Sequence, residues 1–132
     1  MEVNLASALQ MGLDAAKLIE QEKGEITLTI DELNSLIIGQ LNEKCKVLKT
    51  KEGATNVVLL SITNMFGMQS EIRLFSYDIT ENGYPVSLYD RTNSEDMCFD
   101  KEQLVQGLMD IISTSAFGSL LLEAIKISNE EF

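Results

Sequence analysis

The stretch FSYDITENGYPVSLYD, residues 75–90, decides the fold. Apolar and polar residues alternate on both sides of Asn82-Gly83. Asn-Gly is the favoured centre of a two-residue type I′ hairpin, because both residues tolerate positive φ. A loop at 82–83 sets Ile79 opposite Val86, Tyr77 opposite Leu88 and Phe75 opposite Asp90. The other side of the same hairpin pairs Asp78 with Ser87 and Ser76 with Tyr89, which suits solvent. Pro85 has no N–H for a ladder, so strand 84–90 reads as a sheet edge.

Outward from this hairpin, turn signals at 52–55 and 67–70 divide the preceding residues into further alternating runs. The expectation is an α+β fold: a four-stranded antiparallel meander at about 45–51, 56–66, 71–80 and 84–90, with two N-terminal and two C-terminal helices packed on it, in a single domain spanning 1–132. A four-residue loop at 67–70 pairs Ile62 with Phe75, Leu60 with Tyr77 and Val58 with Ile79. The 52–55 loop sets Cys45 against Ile62 and Val47 against Leu60. Parity agrees throughout, and a one-residue slip would reverse it. The expected core face is therefore Cys45, Val47, Val58, Leu60, Ile62, Phe75, Tyr77, Ile79, Val86 and Leu88. The opposite face also projects Leu48, Val57, Leu59, Ile72 and Leu74, a candidate apolar interface that needs a cover.

Leu5, Leu9, Leu13, Ala16 and Ile19 recur at helical intervals, so 4–21 reads as an amphipathic helix ended by Gly24. Thr29 stands three residues before Glu32, the spacing of a capping box, and starts a second helix to about Lys44 with Ile30, Leu33, Ile37 and Leu41 inward. Residues 26–28 read as a short strand or as the entry to that helix. After a polar connection at 90–96, Asp100 caps a third helix with Gln103 in the capping-box position and Leu104, Leu108, Ile111 and Ile112 inward. The run Ser113-Thr114-Ser115 and Gly118 restart a fourth at about 116–127, and 129–132 is a frayed tail. Four amphipathic helices exceed what one face of a four-stranded sheet can bury. The surplus needs another home: the second sheet face in a three-layer arrangement, the backs of the first two helices, or a second copy.

Acidic α+β dimers of this size occur among the secretion chaperones of bacterial type III systems, and the last hairpin followed by 99–112 resembles theirs. Those proteins place a helix between their strand groups, where this chain has a tight loop at 67–70. The resemblance implies a homodimeric, chaperone-like protein.

The charge of −11 is uneven: residues 1–70 hold nine acids and six bases, residues 71–132 twelve acids and four bases. Such a chain is repelled by nucleic acid and by anionic lipid, and it attracts a basic protein surface. No apolar run approaches a bilayer-spanning length and the N-terminus carries Glu2 instead of a basic region, so no membrane partner and a cytoplasmic location are expected. Cys45 and Cys98 stand far apart in no CxxC pattern, which implies two reduced, mostly buried thiols.

The absence of histidine removes the commonest general base and the Ser-His and Cys-His pairs. Asp78 and Asp90 stand on neighbouring strands but fall on opposite faces in the expected register. Read as an EF-hand loop, 90–101 has Glu95 where glycine belongs and Lys101 where the bidentate glutamate belongs. With no GxxxxGK[ST] or GxGxxG motif either, no catalytic residue, metal or cofactor is expected. Lys44, Lys46, Lys49 and Lys51 read as protection for an exposed strand edge. The candidate partner-binding set is Asp78, Glu81, Asp90, Glu95 and Asp96, a negative rim at one end of the sheet. The first functional expectation is an acidic, non-catalytic protein-binding module of the inhibitor, immunity or accessory type, docking a basic partner. The alternatives are a homodimeric chaperone-like protein using spare apolar surface, and a small-ligand binder or enzyme without histidine chemistry.

Overall fold

The structure, a computed structural model, describes residues 4–129. It is a mixed α+β fold of three helices on an open antiparallel sheet of five strands: α1 (Leu5–Gly39), β1 (Cys45–Glu52), β2 (Thr55–Thr63), β3 (Gln69–Thr80), β4 (Gly83–Tyr89), β5 (Glu95–Cys98), α2 (Lys101–Ile112) and α3 (Ser115–Ser128). The strands lie in chain order, each hydrogen-bonded to the next.

The two expected N-terminal helices are one. Asn4 caps α1 by accepting from the Ser7 amide at 3.0 Å, and the helix then runs 35 residues, about 52 Å at 1.5 Å per residue. Gly24 does not end it: a glycine inside a helix costs about 1 kcal/mol, too little to break a ladder that packing supports. Thr29 caps nothing; its hydroxyl donates to the Glu25 carbonyl one turn back at 2.8 Å. Ile26, open between strand and helix in the sequence, is a fully buried helical position with Ile30, Leu33 and Ile37.

The hairpin of residues 75–90 has the expected register from Ser76–Tyr89 to Ile79–Val86. Its two-residue loop lies one position earlier than expected, at 81–82: Thr80 faces Gly83 across a register irregularity, and Gly83 takes φ 90°. Only a residue without Cβ adopts that angle at little cost. The β1–β2 register also matches, with Cys45 opposite Ile62 and Val47 opposite Leu60.

The β2–β3 register differs. Asn64 accepts the Phe66 and Met68 amides on its side-chain oxygen, which starts the turn at Asn64 and leaves Met65, Phe66 and Met68 exposed within it. Ile62 then faces Ser70 instead of Phe75, an odd shift that would reverse the faces. A bulge between Val58 and Leu59 restores parity: Leu74 is the extra residue, and beyond it Val58 faces Phe75. The ten expected core residues accordingly all belong to or pack against the core. The bulge also corrects two assignments. Ile72, opposite Leu60, and the bulged Leu74 join the core side and are not part of an outer apolar face.

The polar connection expected at 90–96 contains a fifth strand. β5 pairs with β4 from Val86–Cys98 to Tyr89–Glu95, so β4 is not an edge; Pro85 lies just past the end of that ladder. The edges are β1, with its lysines, and β5.

Helices α2 and α3 follow the expectation closely. Asp100 accepts from the Gln103 amide at 2.8 Å, and the Gln103 side chain reaches back to the Phe99 amide at 2.8 Å. Thr114 caps α3 by accepting from the Phe117 amide. Asn42, before β1, donates to the Ser128 hydroxyl at 2.6 Å and ties the end of α3 to the sheet. All but Asn129 of the expected tail lies outside the described residues.

Ile26, Ile30, Leu33 and Ile37 of α1, Leu104 and Leu108 of α2, and Phe117, Leu120 and Ala124 of α3 share one core with the inner sheet face. The molecule is therefore two-layered, not the three-layer sandwich. Among the described residues no single helix is long and apolar enough to cross a membrane.

Candidate functional site

The α2–α3 bend and the 90–94 turn meet at one end of the sheet, where they leave a cavity of about 440 Å³. The sheet supplies an apolar floor through Leu74 and Leu88, and the helices supply Ile111, Ala116 and Phe117. Around this floor stand Asp90, Glu95, Asp96 and Asp110, with Arg91 as the one base among the lining residues. A concave, largely apolar pocket with a few convergent polar groups is the usual form of a binding site.

Each carboxylate is held differently. Asp90 organises the turn itself: its Oδ1 accepts from the Thr92 amide at 2.8 Å, the Thr92 hydroxyl at 2.6 Å and the Ser94 amide at 3.1 Å. The Thr92 hydroxyl above all, with those two amides, holds the Asp90 carboxyl below the ordinary aspartate value against the opposing effect of burial. Asn93, at φ 63°, completes the reversal. These contacts make Asp90 a loop organiser. Among the described residues no three His, Cys, Asp or Glu side chains gather to hold a metal ion.

Glu95 lines the cavity mouth, but its carboxylate accepts from the Ser87 hydroxyl at 3.2 Å, on the outer side of the sheet. Asp96, opposite Leu88, is the β5 acid on the cavity side. Its carboxylate lies over Gly107 of α2, where a Cβ would come within 2.8 Å of Asp96 Oδ2 and 2.7 Å of Leu88 Cδ1. Gly107 thus permits α2 to approach the sheet closely enough for Asp96 and Asp110 to line one cavity. Asp110 itself accepts from Gln106 Nε2 at 2.9 Å through Oδ1.

Three of the five acids singled out in the sequence therefore line one cavity, and two stand elsewhere. Glu81 occupies the β3–β4 turn, at the opposite end of β4 from the 90–94 turn, so the expected rim at one end of the sheet is incomplete. Asp78 lies on the outer face and accepts from the Tyr89 hydroxyl at 3.1 Å. There it lines a shallow hollow of about 240 Å³ with Arg73 and Ser76. Sequence reasoning missed Asp110 and Gly107. A lone glycine on the apolar stripe of α2 was the available signal, since such a residue often marks a close approach.

Of the other apolar candidates, Leu48 is exposed, Leu59 half-buried and Val57 fully buried on the outer face. That face is less apolar than expected because Ile72 and Leu74 have left it.

The two cysteines and Tyr84 are quiet as nucleophiles. Burial foremost, then the Asp96 and Asp100 charges, push the Cys98 thiol up to about 11, and burial raises Cys45 as well. Neither offers a thiolate at neutral pH. Tyr84, whose hydroxyl donates to Glu25 at 3.3 Å, is pushed to about 12, chiefly by burial.

No family model, curated protein or solved structure matches this chain.

Proposed function

We propose that this chain is a non-catalytic binding module that takes a lysine or arginine side chain of a basic protein segment into the cavity between β4–β5 and α2–α3. The observation that carries this reading is an apolar floor beneath acids: Leu74, Leu88 and Phe117 accept a methylene stem, while Asp96 and Asp110 receive the charged head. Long basic side chains have this division, an apolar stem ending in a cation. The charge-rich C-terminal half steers such a segment inward and disfavours nucleic acid and anionic lipid. Small inhibitors, immunity-type proteins and accessory factors bind in this way, by complementarity and without chemistry.

The test uses a short amidated peptide of alternating Arg and Leu, followed by amide NMR shifts. Shifts should centre on Ser94, Asp96, Gly107 and Thr114. Affinity should fall about tenfold in an Asp96→Asn, Asp110→Asn double variant, and should weaken steeply with salt. Glu71→Gln, on the outer sheet face, should change nothing. Equal affinity for a peptide with Gln in place of Arg, or salt-independent binding, would overturn the proposal. So would a free alkylamine that binds as tightly as the peptide, because the cavity would then be a small-ligand site.

A further inference from the structure

Among the described residues, the outer half of α1 is exposed from Leu5 to Leu18. Leu5 is 77 % exposed, Leu9 66 % and Leu13 47 %, while Ile19 is partly covered. The helix leaves the body near Glu22, whose Cβ lies 3.1 Å from where a Cβ on Gly83 would stand at the β3–β4 turn. A polar outer helix would need no explanation, but this one continues the buried pattern. The inward stripe Ile26, Ile30, Leu33 and Ile37 advances by four and three residues. Extended backwards through Lys23, the same alternation reaches Ile19, Ala16, Gly12, Leu9 and Leu5. One seam thus runs the length of the helix, and the sheet covers only its inner part.

We propose that the outer half of α1 pairs antiparallel with the same segment of a second copy of this chain, giving a twofold homodimer. The spacing of the seam is symmetric about residue 14. Reversing one copy against the other places Leu9 over Ile19, Gly12 over Ala16, and Leu5 over the Lys23 stem. Asp14, at the centre, falls on the far side of the helix, so the symmetry axis brings no like charges together. Gly12 has nothing within 4 Å, and with Ala16 it lets the two axes approach closely at the crossing. The paired segment, residues 5–23, is about 27 Å long and ends where the sheet begins, which leaves the two bodies at opposite ends of the helix pair. An isologous contact of this kind closes on itself and needs no second surface.

Charge excludes the other obvious occupant. Residues 5–23 carry Asp14, Glu20 and Glu22 against Lys17 and Lys23. A helix that lies on anionic lipid carries an excess of lysine and arginine instead. The dimer is independent of the cationic-side-chain cavity, which lies between other elements.

Sedimentation and light scattering of the full chain should give twice the monomer mass at ~100 μM, a concentration at which a pair of micromolar affinity is assembled. Leu9→Arg should return it to the monomer while leaving the peptide-induced shifts at Gly107 unchanged. Orientation is read by mixing Gly12→Cys chains with Ala16→Cys chains under mild oxidation, with Cys45 and Cys98 buried and out of reach. The 12-to-16 disulfide should dominate. A monomer throughout, or cross-links confined to 12-to-12 and 16-to-16, would overturn the proposal.

Discussion

Cys98 stands where β5 ends, 1 % exposed, beneath Gly107 and close to the Asp96 and Asp100 charges. Its thiol ionises near 9.0 in an unfolded chain and is pushed up to about 11 in the fold. The folded state therefore keeps a proton that the unfolded state releases, so stability falls as pH rises through that interval. At pH of about 10 the loss from this group is on the order of 1 kcal/mol. Tyr84 acts with the same sign between 10.0 and about 12. Urea midpoints should decline from pH 8 to 10, and Cys98→Ala should flatten that decline while lowering stability at neutral pH through lost packing. An unchanged slope in the variant would show that the thiol is not held protonated. Burial of both cysteines was legible from their spacing and count. The proximity of Asp100 to Cys98 was legible too, but not that of Gly107, which depends on how α2 folds back over β5.

At the scale of elements, two glycines in helices make opposite predictions. Gly24 of α1 has nothing within 4 Å of a Cβ, so Gly24→Ala should add about 0.5–1 kcal/mol through helix propensity. Had the helix ended there with a left-handed residue, alanine would destabilise instead. Gly107→Ala gains the same propensity, but its Cβ meets Leu88 and Asp96 below 3.0 Å and Cys98 at 3.3 Å. The approach at 2.7 Å forces the fully buried Leu88 off its packed position, so the net change should be a loss of about 1–2 kcal/mol in urea unfolding. The Gly24 misreading has a clear origin: Gly24, Thr29 and Glu32 offer a stop and a start, whereas the interval of seven from Ile19 to Ile26 keeps the apolar seam in phase. Tertiary burial of Ile26 decides for continuity. The β2–β3 turn misled in a similar way, because Asn64 and Gly67 both favour reversal and local sequence does not rank them. β5 was invisible because Glu95, Asp96 and Met97 are exposed on an edge and leave no alternation to detect. The hairpin of residues 75–90 was legible because alternation and turn residues there agree.

At the scale of the molecule, stability should be divided along α1. Ile26, Ile30, Leu33 and Ile37 sit in the common core, so their amides should exchange with solvent only on global unfolding. The outer half, from Leu5 to about Leu18, makes its hydrogen bonds within a stretch of helix that is exposed throughout. An unpacked helix of that length is marginal in water, even when continuous with a stable one. In dilute solution its amides should exchange orders of magnitude faster than those of the inner half. As concentration rises and copies pair, protection should climb in the outer half and stay constant in the inner half, because mass action stabilises only what the partner covers. Hydrogen exchange read by NMR or mass spectrometry over a dilution series measures both halves in one experiment. Equal protection of the two halves at every concentration would mean that the outer helix is held by its own chain. The surplus of apolar helix surface was legible in the sequence, which left it to the outer sheet face, the backs of the first two helices or a second copy. The bulge at Leu74 moves that surplus: by turning Ile72 and Leu74 inward it lets one sheet face serve all three helices. Leu5, Leu9, Met11, Leu13 and Leu18 then remain exposed together on the projecting half of α1.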